Sequence, residues 1–412
     1  MQELNVALAA TGALILVLGL LSRPLDRSWL SPPLVAFLLG LLLSPYGLGW
    51  LNPAAWGSVD TLLEESTRLT LGISLMGIAL RLPPTYPLRH WRSLCLLLAI
   101  GMPAMFLISA LLVHWTLGLP WLIAMLVGAS VCATDPVLAS SIVTGSLAKE
   151  TLPESFRHLL SSESGANDGL AYPLVLLPIL LLTVPTESAW IDWFAKVWLW
   201  EVGMAIVFGV LIGWVSGRAL EWAEVNEYLD QPSFLSITVA LTILVLGVGK
   251  LLGTDSILAV FAAGLAFDQM VGGKERSEED NVQEAVNLFF TLPVFVLFGV
   301  IAPWSEWMAL GWSGVLLAML VMLLRRLPVI WALRPWLPPV REKPIALVMG
   351  WFGPIGISAL FYAVMIARRT ENDMAWVVGS LIVAVSIIVH GVTATPFAKR
   401  YQHLASQAGR GR

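Results

Sequence analysis

Long apolar stretches alternate with short polar intervals along nearly the whole chain. Thirteen of these stretches are about as long as a helix that crosses a bilayer, which needs roughly 20 apolar residues. They cover approximately residues 5–22, 29–46, 58–80, 92–115, 120–146, 156–184, 195–218, 233–250, 253–268, 284–302, 307–328, 344–367 and 374–398. The pattern predicts an all-α polytopic membrane protein with about 13 transmembrane helices.

Composition agrees with this class. Hydrophobic residues make up 57% of the chain and charged residues 13%, whereas soluble domains are roughly 25% charged. The lipid bilayer is therefore the expected surroundings, and no nucleic-acid partner is expected. The first apolar stretch follows Met1-Gln2-Glu3 without a basic leader, so we expect a retained helix and not a cleaved signal peptide.

The basic residues of the loops predict an orientation. Of the 24 lysines and arginines, nineteen fall in or beside one alternating set of loops, which includes the C-terminus. The opposite set has only Lys196, Lys250, Arg368 and Arg369, and Arg68 lies within a segment. Because basic loops stay in the cytoplasm, we expect the N-terminus outside and the C-terminus in the cytoplasm.

Carboxylates interrupt two of the predicted spans. Thr134-Asp135-Pro136 lies in the fifth segment, and Glu163 and Asp168 lie in the sixth. A charged side chain at the bilayer centre costs about 2.5–3.5 kcal/mol even on lenient scales, so such a residue indicates a functional site. Pro136 also frees backbone carbonyls of the preceding turn. Carboxylates beside free carbonyls are the oxygen ligands that a small cation prefers.

A second interruption, Gly353-Pro354-Ile355-Gly356, lies in the twelfth segment. The two breaks are seven segments apart, so six-helix units that contain them would have opposite orientations in the membrane. This arrangement is typical of inverted-repeat transporters, in which paired broken helices meet at the midplane. The alternative is that Gly and Pro are simply common in membrane helices.

Helical spacing in the sixth segment brings polar side chains onto neighbouring rows. Ser164 and Asp168 share one face, and Glu163 and Asn167 form the adjacent row. Ser161, Gly165 and Gly169 make a stripe of small residues that permits close approach of another helix, for which the broken fifth segment is the natural candidate. Asp135 and Asp168 would then share one cation with Ser164 and the main chain near Thr134. Glu163 is either a further ligand or a structural carboxylate.

Three motifs together resemble one family. The TDP triplet at 134–136, the run from Arg157 to Gly169 and Gly350-Trp351-Phe352-Gly353-Pro354-Ile355-Gly356 are similar to those of the monovalent cation:proton antiporters of the NhaP type. The GPIG form resembles the branch that includes the fungal plasma-membrane sodium(potassium)/proton antiporters. The resemblance extends over nearly the whole transmembrane region.

The resemblance implies a transporter that exchanges Na⁺, or alternatively Li⁺ or K⁺, for H⁺ by alternating access, with no enzymatic activity and no cofactor. It assigns the cation to Asp168, Asp135, Ser164 and the Thr134 carbonyl, with Glu163 acting through water and Asn167 bracing the break. It also implies a homodimer. Each protomer would have a mobile core (about 92–184 and 307–398), a dimerisation part (about 1–80 and 195–302) and a short cytoplasmic tail (399–412).

One position departs from the family pattern. Many relatives carry an arginine where this chain has Ile355, and that arginine is thought to pair with a carboxylate of the third segment. Arg68 lies about 15 Å into that segment, four residues after Glu64 and three after Glu65. We therefore expect Arg68 to be the structural cation near mid-membrane. Arg325 and Arg326 are the rival candidates, and the segment limits put both near the cytoplasmic boundary, where long side chains reach water.

Two other classes of membrane protein fit parts of the pattern. A cation channel also needs carboxylates within the membrane, but the sequence has no repeated filter element. An intramembrane aspartyl protease needs two aspartates that share a proton, but the Asn167-Asp168-Gly169 setting and the paired breaks do not resemble such an enzyme.

Overall fold

The computed structural model describes residues 2–22, 25, 28, 30–83, 85–135, 138, 150–228, 234–271 and 276–410. For residues 276–285, 395, 398, 399 and 402–410 it describes the backbone alone. The second half of the fifth predicted segment, including Pro136, lies outside the described residues.

The described part of the chain is helical and contains no strand. Its α-helices are α1 (Gln2–Leu20), α2 (Pro32–Leu43), α3 (Val59–Arg81), α4 (Tyr86–Arg89), α5 (Trp91–Leu96), α6 (Met102–Leu117), α7 (Trp121–Ser130), α8 (Glu154–Thr183), α9 (Thr186–Asp192), α10 (Gly203–Val225), α11 (Phe234–Leu251), α12 (Ser256–Val271), α13 (Arg276–Ile301), α14 (Trp304–Leu324), α15 (Leu327–Leu333), α16 (Lys343–Trp351), α17 (Ile357–Thr370) and α18 (Met374–Arg410). Leu97–Gly101 and Trp193–Val202 are π-helical, and Pro53–Ala55, Arg334–Trp336 and Pro338–Val340 are 3₁₀ turns.

Local sequence signals explain several helix ends. The Ser58 hydroxyl accepts a hydrogen bond from the Thr61 N–H at 3.4 Å, which caps the start of α3. Gly118 follows α6 with a φ of 65°, the left-handed conformation that ends helices at low steric cost. Pro344 occupies the first turn of α16, where its missing N–H leaves no hydrogen bond unmade.

Seven helices or continuous helical runs among the described residues are long and apolar enough to cross a membrane. Shorter apolar helices are α2, α7, α12 and the run Val286–Ile301. Each of the thirteen predicted segments overlaps a helix of the structure. The protein is therefore an all-α, multi-pass membrane protein, and the number of helices that cross the bilayer stays a prediction.

Helix packing places two breaks at the centre of the fold. The helix α7 packs on α6, α8, α17 and α18, while α17 also packs on α3. The helix α12 packs along α10, α11 and α3, and it contacts α8. The ends of α7, α16 and α17 consequently meet beside the middle of α8.

Candidate cation-binding site at the helix crossing

Two non-helical segments pass each other where the helices break. The first, residues 131–135, follows α7, and the second, residues 352–356, connects α16 to α17. The Asp135 N–H donates a hydrogen bond to the Pro354 carbonyl at 2.8 Å, which ties the two segments together. The breaks predicted at Asp135 and at Gly353 to Gly356 are therefore adjacent in space.

The carboxyl ends of α7 and α16 face the Arg325 guanidinium. One of its terminal nitrogens donates to the carbonyls of Val131 and Ala133, and the other donates to the Gly353 carbonyl. The carbonyls at a helix end carry a partial negative charge and lack partners within the helix. Arg325 supplies both a positive charge and donors to two such ends.

Asp135 has the complementary position at the amino end of α17. Its Oδ2 accepts the Ile357 N–H, and its Oδ1 accepts the Leu138 N–H at 3.2 Å. A carboxylate is stabilised there by the partial positive charge of the helix start. Each carboxylate oxygen has further lone pairs, so Asp135 can still contribute to a cation site.

Glycine is required at both ends of the second segment. A Cβ atom on Gly356 would lie 2.1 Å from Asp135 Oδ2, and one on Gly353 would lie 2.1 Å from the Arg326 Cδ atom and 3.1 Å from the Thr134 Cγ2 atom. The two distances of 2.1 Å are shorter than real Cβ contacts, so the two glycines let the chain pass close to the charged groups.

Hydrogen bonds join α8 to the first break. The Asn167 amide donates to Thr134 Oγ1 at 2.7 Å, and its oxygen accepts the Thr134 N–H at 3.2 Å. The Ser164 and Thr134 hydroxyls are 3.1 Å apart. The arrangement agrees with the bracing role expected of Asn167, and it places the Thr134 and Ser164 oxygens side by side.

Glu163 forms a buried ion pair with Arg326. The guanidinium donates to both carboxylate oxygens, at 2.7 and 2.6 Å, and the side chains of Arg326 and Glu163 are 2% and 1% exposed. The Asn167 amide also donates to Glu163 at 3.3 Å, and Arg326 Nε donates to the Met349 carbonyl at 3.0 Å. Of the two roles left open by the sequence, this geometry favours the structural carboxylate.

Asp168 differs from the other carboxylates of the crossing. Its residue is 0% exposed, and no donor among the described residues hydrogen-bonds either carboxylate oxygen. The Ser358 hydroxyl and the Asp135 charge lie close enough to act on it electrostatically. The Tyr362 hydroxyl donates to its main-chain carbonyl, which leaves both carboxylate oxygens available to an ion.

The structure does not bring Arg68 to the crossing. Arg68 pairs with Glu65 at 2.6 Å, as predicted, but its side chain is 18% exposed and its other contact is the Leu246 carbonyl at 3.1 Å. Glu65 also binds Lys250, whereas Glu64 binds Arg368 of α17 and not Arg68. Because these groups are partly exposed, Arg68 is one member of a peripheral charge network and does not neutralise the crossing.

Arg325 and Arg326 do not lie at an exposed boundary either, because both are 2% exposed. The predicted eleventh segment ends at residue 328, whereas the apolar helical run continues to Trp336, so both arginines lie inside the run and not at its end. Two arginines inside an apolar run are the sequence signal that favours a buried position for both. Ile355 is buried and donates its N–H to the Ser386 hydroxyl at 2.8 Å.

The stripe of small residues on α8 also has a different partner from the one expected. A Cβ atom on Gly165 would lie 2.5 Å from the Phe261 ring, and one on Gly169 would lie 2.7 Å from Leu258 Cβ. Both neighbours belong to α12. The face that carries Ser164 and Asn167 contacts the broken segment instead, because their polar atoms find hydrogen-bond partners there.

The sequence identifies the family. The sequence model described as sodium/hydrogen exchanger, transmembrane, matches residues 11–400. The chain belongs to this family. It is also similar in fold to the sodium/proton antiporter of Methanocaldococcus jannaschii, with a TM-score of 0.74 and 19% identity over 97% of this chain and 99% of that protein.

Two fungal relatives are more similar in sequence. The Na(+)/H(+) antiporter 2 of Zygosaccharomyces rouxii is 36% identical over 78% of this chain and 40% of the relative. The Na(+)/H(+) antiporter of Schizosaccharomyces pombe is 32% identical over 82% of this chain and 78% of the relative. The chain thus spans less than half of the first protein and more than three quarters of the second. The similarity to fungal antiporters agrees with the branch indicated by the GPIG motif.

Proposed function

We propose that this protein is a secondary active transporter in which a monovalent cation and a proton compete for Asp168. The observation that carries the proposal is the Asp168 carboxylate, which is fully buried, has neither oxygen hydrogen-bonded among the described residues, and lies near the Asp135 carboxylate and the Ser358 hydroxyl. The family membership and the names of the fungal relatives support Na⁺ as the cation. Li⁺ and K⁺ are the alternatives.

The chemistry follows from the energy of one buried charge. An ionised carboxylate without partners is costly in a low-dielectric site, and either a proton or a cation relieves that cost. Asp168, Asp135, Ser164 and the Thr134 carbonyl supply hard oxygen ligands that suit a small cation. Because one carboxylate cannot carry both ions at once, loading of one ion releases the other.

The other charged groups of the crossing would not join the exchange. Arg325 stays on the helix carbonyls, and the Glu163 charge is matched by Arg326. Asn167 stands where some antiporters have a second acid, and its amide is committed to Thr134. We therefore propose one proton per cation and no net charge movement.

The architecture that we propose for transport is the one indicated by the sequence. About 13 helices cross the bilayer, with two inverted six-helix repeats, the N-terminus outside and the C-terminus in the cytoplasm. The core (about 92–184 and 307–398) moves against the dimerisation part (about 1–80 and 195–302) of a homodimer, so that the Asp168 site opens to each side in turn.

A proteoliposome assay tests the function. Purified protein is reconstituted, a pH gradient is imposed, and the gradient is followed after addition of Na⁺, Li⁺ or K⁺. We expect saturable dissipation by at least one cation. A conductive cation flux that does not depend on the pH gradient would instead indicate a channel.

Variants in the same assay test the site. Asp168→Asn should abolish exchange, since an amide neither releases a proton nor supplies a charge, and Asp135→Asn should reduce it nearly as much. Asp60→Asn, at an exposed position in the first turn of α3, is the control and should retain exchange. Exchange by correctly inserted Asp168→Asn protein would contradict the proposal.

A further inference from the structure

Two further buried carboxylates lie at the junction of α10, α12 and α8. Glu201 is 8% exposed and lies in the π-helical segment before α10, and Asp255 is 4% exposed and immediately precedes α12. The Asp255 N–H donates to the Glu201 carbonyl at 3.0 Å, so the two residues are directly joined. We refer to them as the Glu201–Asp255 pair.

Each member of the pair has one carboxylate oxygen without a hydrogen bond among the described residues. Asp255 Oδ1 caps α12 by accepting the N–H groups of Ile257 and Leu258, both at 3.1 Å, and Asp255 Oδ2 has no partner. Glu201 Oε2 likewise has none. Buried polar atoms without partners are rare and call for an explanation, such as an ion.

The other buried carboxylates make the contrast clear. Both oxygens of Glu163 are paired with Arg326, and both oxygens of Asp135 accept backbone N–H groups. Within the described part of the chain, the three buried carboxylates with an unpaired oxygen are Asp168, Glu201 and Asp255. Asp168 belongs to the site proposed above, whereas Glu201 and Asp255 do not.

Two tyrosines connect the pair to Asp168. Tyr362 donates its hydroxyl to the Asp168 main-chain carbonyl, and the charges of both Asp168 and Asp255 act on that hydroxyl. Tyr172 follows Asp168 by four residues, one helical turn along the same face of α8. Its hydroxyl lies near Glu201, Asp255 and the Arg369 guanidinium. The pair therefore lies toward the Tyr172 side of Asp168 along α8.

We propose that Glu201 and Asp255 form a second cation-binding site, at which a partly hydrated monovalent cation is held between Asp168 and one side of the membrane. The unpaired carboxylate oxygens and the Tyr172 hydroxyl provide hard oxygen ligands. These few ligands do not complete the coordination shell of a cation, so water molecules would supply the rest. Partial hydration suits a site through which the cation passes on its way to Asp168. Glu201 lies in a π-helical segment, and such segments occur frequently at functional sites.

This proposal rests on the proposed function and adds the side of the membrane from which the cation first reaches the second site. In the proposed orientation α8 runs outward from the cytoplasm, so Tyr172 and the Glu201–Asp255 pair lie on the outer side of Asp168. Cations from outside would meet this site first. Its loss should weaken capture of external cation while leaving the reaction at Asp168 intact.

The substitutions Asp255→Asn and Glu201→Gln test the site. Asparagine keeps an oxygen that can cap α12, so Asp255→Asn removes the charge with little effect on the helix. Exchange is measured in oriented vesicles, with Na⁺ added to the outer face or to the cytoplasmic face. We expect each variant to raise the KM for outer Na⁺ about tenfold, which corresponds to ~1.4 kcal/mol, with kcat and the cytoplasmic KM unchanged.

Glu187→Gln is the matched control, because Glu187 is an exposed acid in the first turn of α9, at the same end of α8. It removes one negative charge from the surface and should leave both KM values unchanged. Thermal unfolding of each variant is recorded in parallel. Glu201→Gln gives an independent test if Asp255→Asn lowers the melting temperature.

The outcomes separate this inference from the function on which it rests. Absence of exchange by the unsubstituted protein would contradict the proposed function itself. If the unsubstituted protein exchanges Na⁺ but both variants keep its outer KM, the second site is refuted. Equal changes on both sides, with a lowered melting temperature, would show a structural role for the pair and would also refute the site.

Discussion

At the scale of single residues, Glu163 and Arg326 form a buried ion pair at the crossing. Neither side chain reaches solvent, so each is stabilised by the other and by the hydrogen bonds from Asn167 and to Met349. A buried pair of this kind contributes little relative to apolar residues, but removal of one partner is costly. Its chief consequence is that it holds α8 against the α14–α15 junction beside Asp168.

Arg326→Ala should therefore destabilise the protein strongly, by about 3–5 kcal/mol, because it leaves Glu163 buried without a partner. The double variant Arg326→Met with Glu163→Gln should recover part of the loss. Thermal unfolding in detergent measures both. Arg218→Ala, which breaks an exposed pair with Glu221, is the control, with an expected effect below about 1 kcal/mol. A neutral Arg326→Ala would show that the pair is not the structural link described above.

Asn167 is the second residue that should matter for stability. Asn167→Ala removes the partner of the Thr134 N–H and one of the two partners of the Thr134 hydroxyl, and a buried polar group left unpaired costs about 1–3 kcal/mol. We expect a lower melting temperature together with reduced exchange. Asn226→Ala, at the exposed end of α10, should change neither. If the Asn167 variant is inactive but fully stable, a direct ion-ligand role becomes the better explanation.

At the scale of helices, the crossing is a balance of helix ends and side-chain charges. The carboxyl ends of α7 and α16 meet Arg325, and the amino end of α17 meets Asp135. Partial charges at helix ends in a membrane must be satisfied by protein or water, since lipid supplies no hydrogen bonds. The two side chains thus permit broken helices at the centre of the fold.

Gly356→Ala tests the close approach on which the crossing depends. The added methyl group would lie 2.1 Å from Asp135 Oδ2, so either the segment or the carboxylate must move. We expect loss of exchange and a lowered melting temperature. Gly247→Ala in α11 is the control, because its methyl group would have no neighbour within 4 Å and alanine favours helix by up to about 1 kcal/mol. Equal behaviour of the two variants would contradict the steric argument.

At the scale of the whole molecule, the orientation in the membrane is the feature most open to a direct test. In a background without Cys95 and Cys132, Glu187→Cys and Glu221→Cys each introduce one exposed thiol. A membrane-impermeant maleimide should label Glu187→Cys in intact cells and Glu221→Cys only after lysis, because basic loops stay in the cytoplasm. The reverse pattern would overturn the proposed orientation.

The helices and the family were accessible from the sequence. A long apolar stretch predicts a membrane helix, because in lipid its backbone N–H and C=O groups must form their hydrogen bonds within the segment. The twelfth segment was correctly predicted to be broken, because proline and glycine act locally on the backbone. The described part of the fifth segment likewise ceases to be helical over residues 131–135. Spacing of three and four residues likewise placed Ser164, Asn167 and Asp168 on adjoining rows of α8, and the motifs at Thr134, Asp168 and Gly353 indicated the family that the comparisons confirm.

Only the tertiary structure decided which charges meet. Arg326 binds a carboxylate 163 residues earlier in the chain, and Arg68 was preferred because its possible partners lie within one turn of it. Sequence spacing reports neighbours on one helix, whereas the depth and partner of a long side chain depend on how helices pack. For the same reason, residue spacing along α8 could not show that its small residues face α12. Nor could the sequence around Glu201 and Asp255 show that these two residues meet.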